Sequence, residues 1–409
     1  MITIGRMPQK VQRFFAPAHR YFGKKAWVHF WQLVLALSIS HGSTLDRLSK
    51  LLRNSTHRTK HGEFLWQSHW EAPQVIQQIA LDILKRLRHK KASQLFFIID
   101  ETQTLKRAKK MAGVGKLFHH ASGKYGTGHK MLKICLWYRG VTIHWGTWLY
   151  LKKEDAQTEK LPFRKLTQLA AEAIRQAPLP AGLNITVLFD CYYLCPTVVE
   201  ACRTRGWHYI GVGKLNRRFF IHGQSRRLGR YGRNVLRREG RWHSIAGLAK
   251  TRWYQLAGRI GNLNKLGIVK VVFSRRRGER NLVALVTDDL HASMKRIVAD
   301  YLKRWAIELM IKDQKQHLGL GDYRVRRYEA VVRHLLLVDA AYACLTHVGW
   351  KAHRAQGHQQ KKENVLRLPP ISQLKTHMRQ MIWQETLEEV IKNSHEKLVI
   401  RRLEQLLAA

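Results

Sequence analysis

The apolar positions of this chain change their period along its length. Residues 1–92 carry helical spacing. Ala26 to Ile39 is a mostly apolar stretch, broken by His29 and Gln32, and reads as a buried helix. Ser43 or Thr44 can cap a helix running to about Arg53, and a longer helix is predicted from Pro73 to about His89. Between them Arg53, His57, Arg58, Lys60 and His61 read as a basic connection. From Gln94 the texture becomes strand-like. Leu95–Ile99 is a short apolar run ending at Asp100, and Met131–Tyr138 and Val141–Leu151 flank an Arg139-Gly140 hairpin turn. A helix fits Pro162–Gln176, a strand Ile185–Phe189 ends at Asp190, a helix fits Pro196–Arg205, and a strand fits Trp207–Val212. Three strands, helix, strand, helix, strand predict an α/β layer on a mixed sheet.

Residues 214–290 are basic and strand-rich, with Val269–Phe273 and Leu282–Thr287 paired around Arg275-Arg276-Arg277-Gly278. Ser293–His317 then reads as one helix. At about 100° per residue, Tyr301, Glu308 and Lys315 share a narrow stripe with Arg304 beside it. Val298, Leu302, Trp305 and Leu309 form a separate apolar stripe. Helices are predicted from Glu329 to Trp350 and from Ile371 onward, joined by a polar linker at 353–364. The organisation expected is a helical N-terminal region (1–92), a core in two parts (93–213 and 291–350) around a basic β-rich insertion (214–290), and a helical C-terminal region (351–409).

Charge narrows the choice of partner. Lys and Arg number 73 against 28 Asp and Glu, a formal charge of +45, which favours a polyanion and nucleic acid first. Anionic membrane is the rival, but the sequence offers no apolar run of about 18 residues, and no export signal is read at its start. Five cysteines suit a reducing cytoplasm better than a disulfide framework. Cys191, Cys195, Cys202 and His208 lack a paired knuckle and are expected to pack rather than bind zinc. His119-His120 reads as a turn in a basic loop, and His334 as packing.

Against this excess of cations, Asp100 and Asp190 end apolar strands and Glu308 lies on a helix. Strand ends of open sheets are where ligand sites form. Three carboxylates converging there can hold two divalent cations about 3.5–4 Å apart for displacement at phosphorus, and magnesium suits all-oxygen ligands. Asp288 and Asp289 read as helix caps, and Glu101 points away from Asp100. Arg226, Arg227, Arg230, Arg233, Arg237 and Arg238 form a run suited to following phosphates. Trp242 and Trp253, set among cations, fit either stacking on an unpaired base or ordinary core packing. Residues 1–92 are either a DNA-binding module or a helical prop for the core.

FFIIDET, VLFDCYY and YLKRWAIELMIKDQK resemble the three acidic motifs of DDE transposases, and Y-x2-R-x3-E-x6-K is similar to the signature of the insertion-sequence-four-like (YREK) group. GKYGTGHK, GWHYIGVGKLNRR and RHLLLVDAAYACL add to a likeness covering about residues 94–350. The resemblance implies a ribonuclease-H-like core with a β-rich insertion, for which the 117 residues between Asp190 and Glu308 leave room. It implies Asp100, Asp190 and Glu308 as a catalytic, metal-binding triad for two Mg2+ ions, with Mn2+ as a substitute. Tyr301, Arg304 and Lys315 would hold phosphates of transposon-end DNA, and an insertion-domain Trp would trap a flipped base. Double-stranded DNA, both transposon ends and target, would be the partner of a homodimer in the cytoplasm at the nucleoid. Glu101 stands where the group often has Asp or a small residue.

Overall fold

The structure is a computed structural model that describes residues 8–40, 44–51, 56–88, 94–108, 110–119, 123–248, 250–355 and 366–392. The N-terminal pattern folds as α1 (Gln9–Phe15), a 3-10 turn (Ala16–Tyr21), α2 (Lys24–Ile39), α3 (Leu45–Lys50), α4 (Arg58–Gln67) and α5 (Ala72–Leu87). As expected, α2 is buried along most of its length. Thr44 Oγ1 accepts the Arg47 amide and starts α3, which ends at Lys50; Arg53 lies outside the described residues. From Arg58 onward the basic connection is itself helical. In α4, His61, Phe64 and Leu65 turn inward, and Phe64 stacks on Trp70 with ring centres 5.5 Å apart.

The core follows as β1 (Gln94–Leu105), β2 (Gly115–His119), β3 (Lys124–Tyr138), β4 (Val141–Tyr150), α6 (Lys153–Thr158), α7 (Leu166–Gln176), β5 (Asn184–Phe189), α8 (Pro196–Thr204) and β6 (His208–Val212). Arg139 and Gly140 both take positive φ, 51° and 86°, which gives the tight turn between β3 and β4. Helix α7 begins at Leu166 rather than Pro162, where Gln168 accepts the Lys165 amide at 2.8 Å. Then come β7 (Arg218–Ile221), β8 (Gln224–Arg227), α9 (Leu228–Glu239), β9 (Arg241–Ala246), β10 (Thr251–Leu263), β11 (Gly267–Arg276) and β12 (Val283–Thr287). The described residues end with α10 (Met294–Leu302), α11 (Trp305–His317), α12 (Tyr328–Ala355) and α13 (Ile371–Lys392).

Among the described residues, the strands join one mixed sheet in the order β2-β3-β1-β5-β6-β12-β11-β10-β7-β8, with β4 on β3 and β9 on β10. β1 is antiparallel to β3 and parallel to β5, which is parallel to β6. Antiparallel strands leading into parallel ones, with helices between, form the ribonuclease-H-like mixed α/β core that the sequence predicts. The basic segment does not form a separate sheet: β12 pairs with β6, Leu285 opposite Val212.

Three local expectations need correction. β1 does not end at Asp100 but runs on to Leu105, because β3 keeps pairing as far as Leu105 opposite Gly128. Its other neighbour stops earlier, at Ile98 opposite Leu188. The helix expected over 293–317 breaks at Lys303 and Arg304. There the amides of Lys303, Arg304, Ala306 and Ile307 bond back three residues rather than four. The break leaves Trp305 and Leu309 exposed instead of in an apolar stripe. Asp288 and Asp289 do not cap α10. Ser293 does, through the Arg296 amide at 3.2 Å, while Asp289 closes its own turn and Asp288 accepts the Tyr209 amide.

α12 passes through the middle of the molecule against α2, α4, α5, α13 and β4. Tyr328–Ala352 is long and apolar enough to cross a membrane by length and composition, which the sequence reading passed over, but 89% of its most apolar window is buried inside the protein. His334 packs there beside the Tyr323 ring, as expected.

Candidate active site

Continuing the β1–β5 register two residues beyond Ile98 and Leu188 brings Asp100 level with Asp190. Both acids therefore sit where β5 gives out and the sheet opens a notch. Asp190 Oδ1 accepts the Tyr192 and Tyr193 amides at 2.9 and 3.4 Å, which turns the chain from β5 toward α8. Asp100 Oδ1 accepts the Glu101 amide at 2.8 Å. Its Oδ2 accepts from Arg304 Nη1 at 2.8 Å, and the other arm of the same guanidinium bonds Glu308. The break between α10 and α11 thus aims Arg304 into the notch.

Electrostatics tie these groups together. Burial pushes the Asp100 carboxyl up to about 6; the Arg304 charge opposes this, and the charges of Asp190 and Glu308 add to it. Burial also pushes the Tyr301 phenol up to about 12, with the Arg304 guanidinium 5.8 Å from its ring. Lys315 lies exposed two turns beyond Glu308. Glu101 projects to the other face, as expected, where Lys130 pairs with it at 2.6 Å and the buried Tyr193 hydroxyl donates to it at 3.3 Å.

The structure thus brings Asp100, Glu308 and Arg304 into direct contact, with Asp190 and Tyr301 within electrostatic reach. As the side chains stand, among the described residues no three His, Cys, Asp or Glu groups are close enough to share one metal ion. At this notch the Arg304 guanidinium stands between two of the acids, bonded to both Asp100 and Glu308. Of the cysteines, Cys202 packs in the core and Cys195 packs half-buried against it, while Cys191 is a half-buried free thiol. His119 ends β2, and His120 lies outside the described residues.

Away from the notch, Arg226 and Arg227 on β8 and Arg230, Arg233, Arg237 and Arg238 on α9 are all exposed. Helix α9 buries Leu228, Val235 and Leu236 and is seated closely enough that a Cβ on Gly232 would lie 2.3 Å from the Phe273 ring. Trp242 and Trp253 are exposed at 46% and 47%, so core packing is not their role. The register sets Trp242 opposite Gln255 and Trp253 opposite Ser244, on one face of the β9–β10 pair. Trp253 also lines a pocket of about 370 Å³ with Lys250, Thr251, Arg252, Arg276 and Arg277.

Two residues beside the site escaped the sequence reading. Lys133 is the register partner of Asp100, and Asp339 on α12 pairs with it at 3.0 Å, both fully buried. The available signal was one charge inside each of two apolar runs, MLKICLW and LLVDAAY.

A search of the curated proteins finds no match. The family model described as DDE superfamily endonuclease matches residues 22–262. That stretch contains Asp100 and Asp190 and ends before Glu308. Because the match covers more than half of the chain and runs through both strand-borne acids, this protein belongs to the DDE superfamily endonucleases.

Proposed function

We propose that this protein is a DNA transposase of the insertion-sequence-four-like (YREK) group. Asp100, Asp190 and Glu308 hold the divalent metal, and Tyr301, Arg304 and Lys315 hold phosphates of the element's end. One observation carries the reading: Arg304, itself a residue of the helix motif, bonds both Glu308 on that helix and Asp100, 204 residues away on β1.

Family membership implies DNA as substrate and divalent metal ions as cofactor. The donor set fits. Three carboxylates with no thiolate or imidazole suit two Mg2+ ions, with Mn2+ as substitute. The raised Asp100 pKa, to which the other two acids contribute, is a repulsion that a divalent cation would relieve. Bound there, the metal supplies an activated water and steadies charge on the attacking and leaving oxygens. The chain's own groups do the rest. Arg304, released from the acids, offers two parallel N–H donors to a phosphate. Tyr301 stays protonated at neutral pH and can donate to a phosphate oxygen. Lys315 adds a point charge. The exposed arginines of β8 and α9 follow the backbone, and Trp242 or Trp253 stacks on an unpaired base. The freed 3′-hydroxyl then attacks target DNA, in a homodimer that holds both ends in the cytoplasm. By analogy with the group, it first attacks the opposite strand, displacing the flanking DNA and closing a hairpin, and a second water nicks that hairpin to free the 3′-hydroxyl again before it joins target DNA.

The test is a duplex carrying the element's end, incubated with Mg2+ and target DNA. Nicking followed by 3′-end joining is expected, and Glu308→Gln should bind the duplex at wild-type affinity without cutting it. Normal cutting by that variant overturns the triad. Nicking without joining reduces the protein to a ribonuclease-H-like endonuclease of repair or junction type, and binding that ignores Mg2+ to a DNA-binding descendant.

A further inference from the structure

We propose that the buried Lys133–Asp339 pair is a positioning device that sets where α11 sits along the sheet, and hence where Glu308 stands relative to Asp100. The inference rests on the reading of Glu308 as a metal-binding acid. Asp339 is saturated by groups from several elements. Its Oδ1 faces Lys133 Nζ at 3.0 Å on β3, His144 Nε2 at 3.1 Å on β4, and Gln314 Nε2 at 3.2 Å on α11. Its Oδ2 accepts from Thr147 Oγ1 at 2.7 Å, also on β4. Lys133 is the direct partner of Asp100 in the β1–β3 register, so the two side chains share a face of the sheet. Gln314 is fully buried and lies six residues beyond Glu308 on the same helix. One carboxylate therefore joins the strand pair that carries Asp100 to the helix that carries Glu308.

The remaining buried face of α11 cannot do this. Ala306, Ile307, Met310 and Ile311 are apolar and give no directional preference along the axis. A slip of one residue moves a helix by about 1.5 Å and turns it by about 100°, whereas a working constellation tolerates about 0.5 Å. Nor does stability explain the pair. Desolvation of two buried charges generally cancels their attraction, and apolar replacements of similar volume serve as well or better. Fixing one arrangement among several is the best-attested use of such pairs.

The experiment uses the full chain and the end-bearing duplex with Mn2+. The double variant Lys133→Met/Asp339→Leu keeps the interior filled. It leaves His144, Gln314 and Thr147 without their carboxylate and so should melt below the wild-type temperature while still folding, and it should bind the duplex with unchanged Kd and KM. Its kcat should fall by about 100-fold, the size of effect a misplacement of about 1 Å produces, and the Mn2+ concentration for half-maximal cutting should rise. A folded double variant that cuts at the wild-type rate with wild-type Mn2+ dependence overturns the proposal. Should the double variant not fold, Gln314→Leu removes only the bond from α11 and leaves the ion pair. It should lower kcat and speed amide exchange in α11 without changing exchange in β1 and β3. Wild-type kcat and exchange in folded Gln314→Leu overturn the proposal equally. Should the wild type itself not cut, the metal-acid reading fails, and the exchange measurement still decides whether Gln314 pins α11.

Discussion

Arg304 stands where the proposed function requires a metal ion, so removing it should tighten metal binding even as it weakens catalysis. The guanidinium bonds Asp100 at 2.8 Å and also bonds Glu308. Their side chains are only 16%, 17% and 30% exposed. At about 4 Å between charges and an effective dielectric of about 20, each contact is worth about 4 kcal/mol before desolvation. Desolvation of partly buried ions offsets most of that. A net cost of about 1–3 kcal/mol for displacing Arg304 is a factor of roughly 5–150 in affinity. Arg304→Met in the absence of DNA should therefore bind Mn2+ about 10–100-fold more tightly than wild type. Binding is read by the loss of the free Mn2+ electron paramagnetic resonance signal. The titration belongs at pH 8. Losing Arg304 removes the charge that opposes the rise of the Asp100 pKa, already about 6, so the titration is run two units above that value. A second measurement closes the cycle. A short duplex should tighten Mn2+ binding to wild type by drawing Arg304 onto a phosphate, and Arg304→Met should lose that gain. Equal or weaker Mn2+ affinity in Arg304→Met would refute the idea that this guanidinium competes with the metal.

His61, His129, His144, His334 and His347 are buried, and burial drives their pKa values down to about 4, 4, 3, 3 and 3. The unfolded chain binds more protons below about pH 6.5, so stability present above that pH is lost as pH falls toward 4, about 2 kcal/mol per histidine by pH 5. The melting temperature should hold between pH 7 and 8 and drop steeply from 6.5 to 5; a flat profile to pH 5 would show these rings are not kept neutral. Gly232→Leu puts a side chain into the Phe273 ring. It should cost about 1–3 kcal/mol in a denaturant melt and weaken DNA binding by lifting α9, so wild-type stability would contradict the close seating. Replacing Arg230, Arg233 and Arg237 with Gln should reduce the slope of log Kd against log salt by about 3; an unchanged slope would mean that α9 does not touch phosphate.

The two strand acids were legible because each follows an apolar run, and apolar runs mark buried strands wherever they pair. What the sequence could not disclose was set by distant partners. β1 continues past Asp100 because Gly128, on another strand, is there to pair with Leu105. Neither glycine nor proline marks the break at Lys303 and Arg304. It accompanies the bonds from Arg304 to Asp100 and the seating of Lys303 at 4.3 and 5.3 Å from the Phe96 and Trp137 rings. Trp305 and Leu309 lie at helical spacing from Val298 and Leu302, but periodicity fixes residues relative to each other only until the helix breaks. Lys133 and Asp339 were each visible as a charge in an apolar run; their pairing spans 206 positions. In α4, a basic composition concealed a helix whose inward face is only His61, Phe64 and Leu65.

The continuity of the sheet bears on how a chain with this excess of cations can keep an acidic notch next to a cationic surface. A separate basic domain on a flexible linker could fold back onto Asp100, Asp190 and Glu308 and neutralise them. Here the arginines of α9 belong to an extension hydrogen-bonded to the core through β6 and β12, and the glycine contact with Phe273 on β11 holds α9 to that extension. Their guanidinium groups are fixed at a distance set by intervening strands. Among the described residues, the cation bonded directly to Asp100 and Glu308 is Arg304, on a helix end. Under the proposed function, one guanidinium matched to two acids would be exchanged for a metal ion when a phosphate arrives to take it, whereas a mobile crowd of arginines would hold the site closed. On that proposal, sheet continuity and the break before α11 serve the same end: Asp100 and Glu308 are neutralised by a single, displaceable charge.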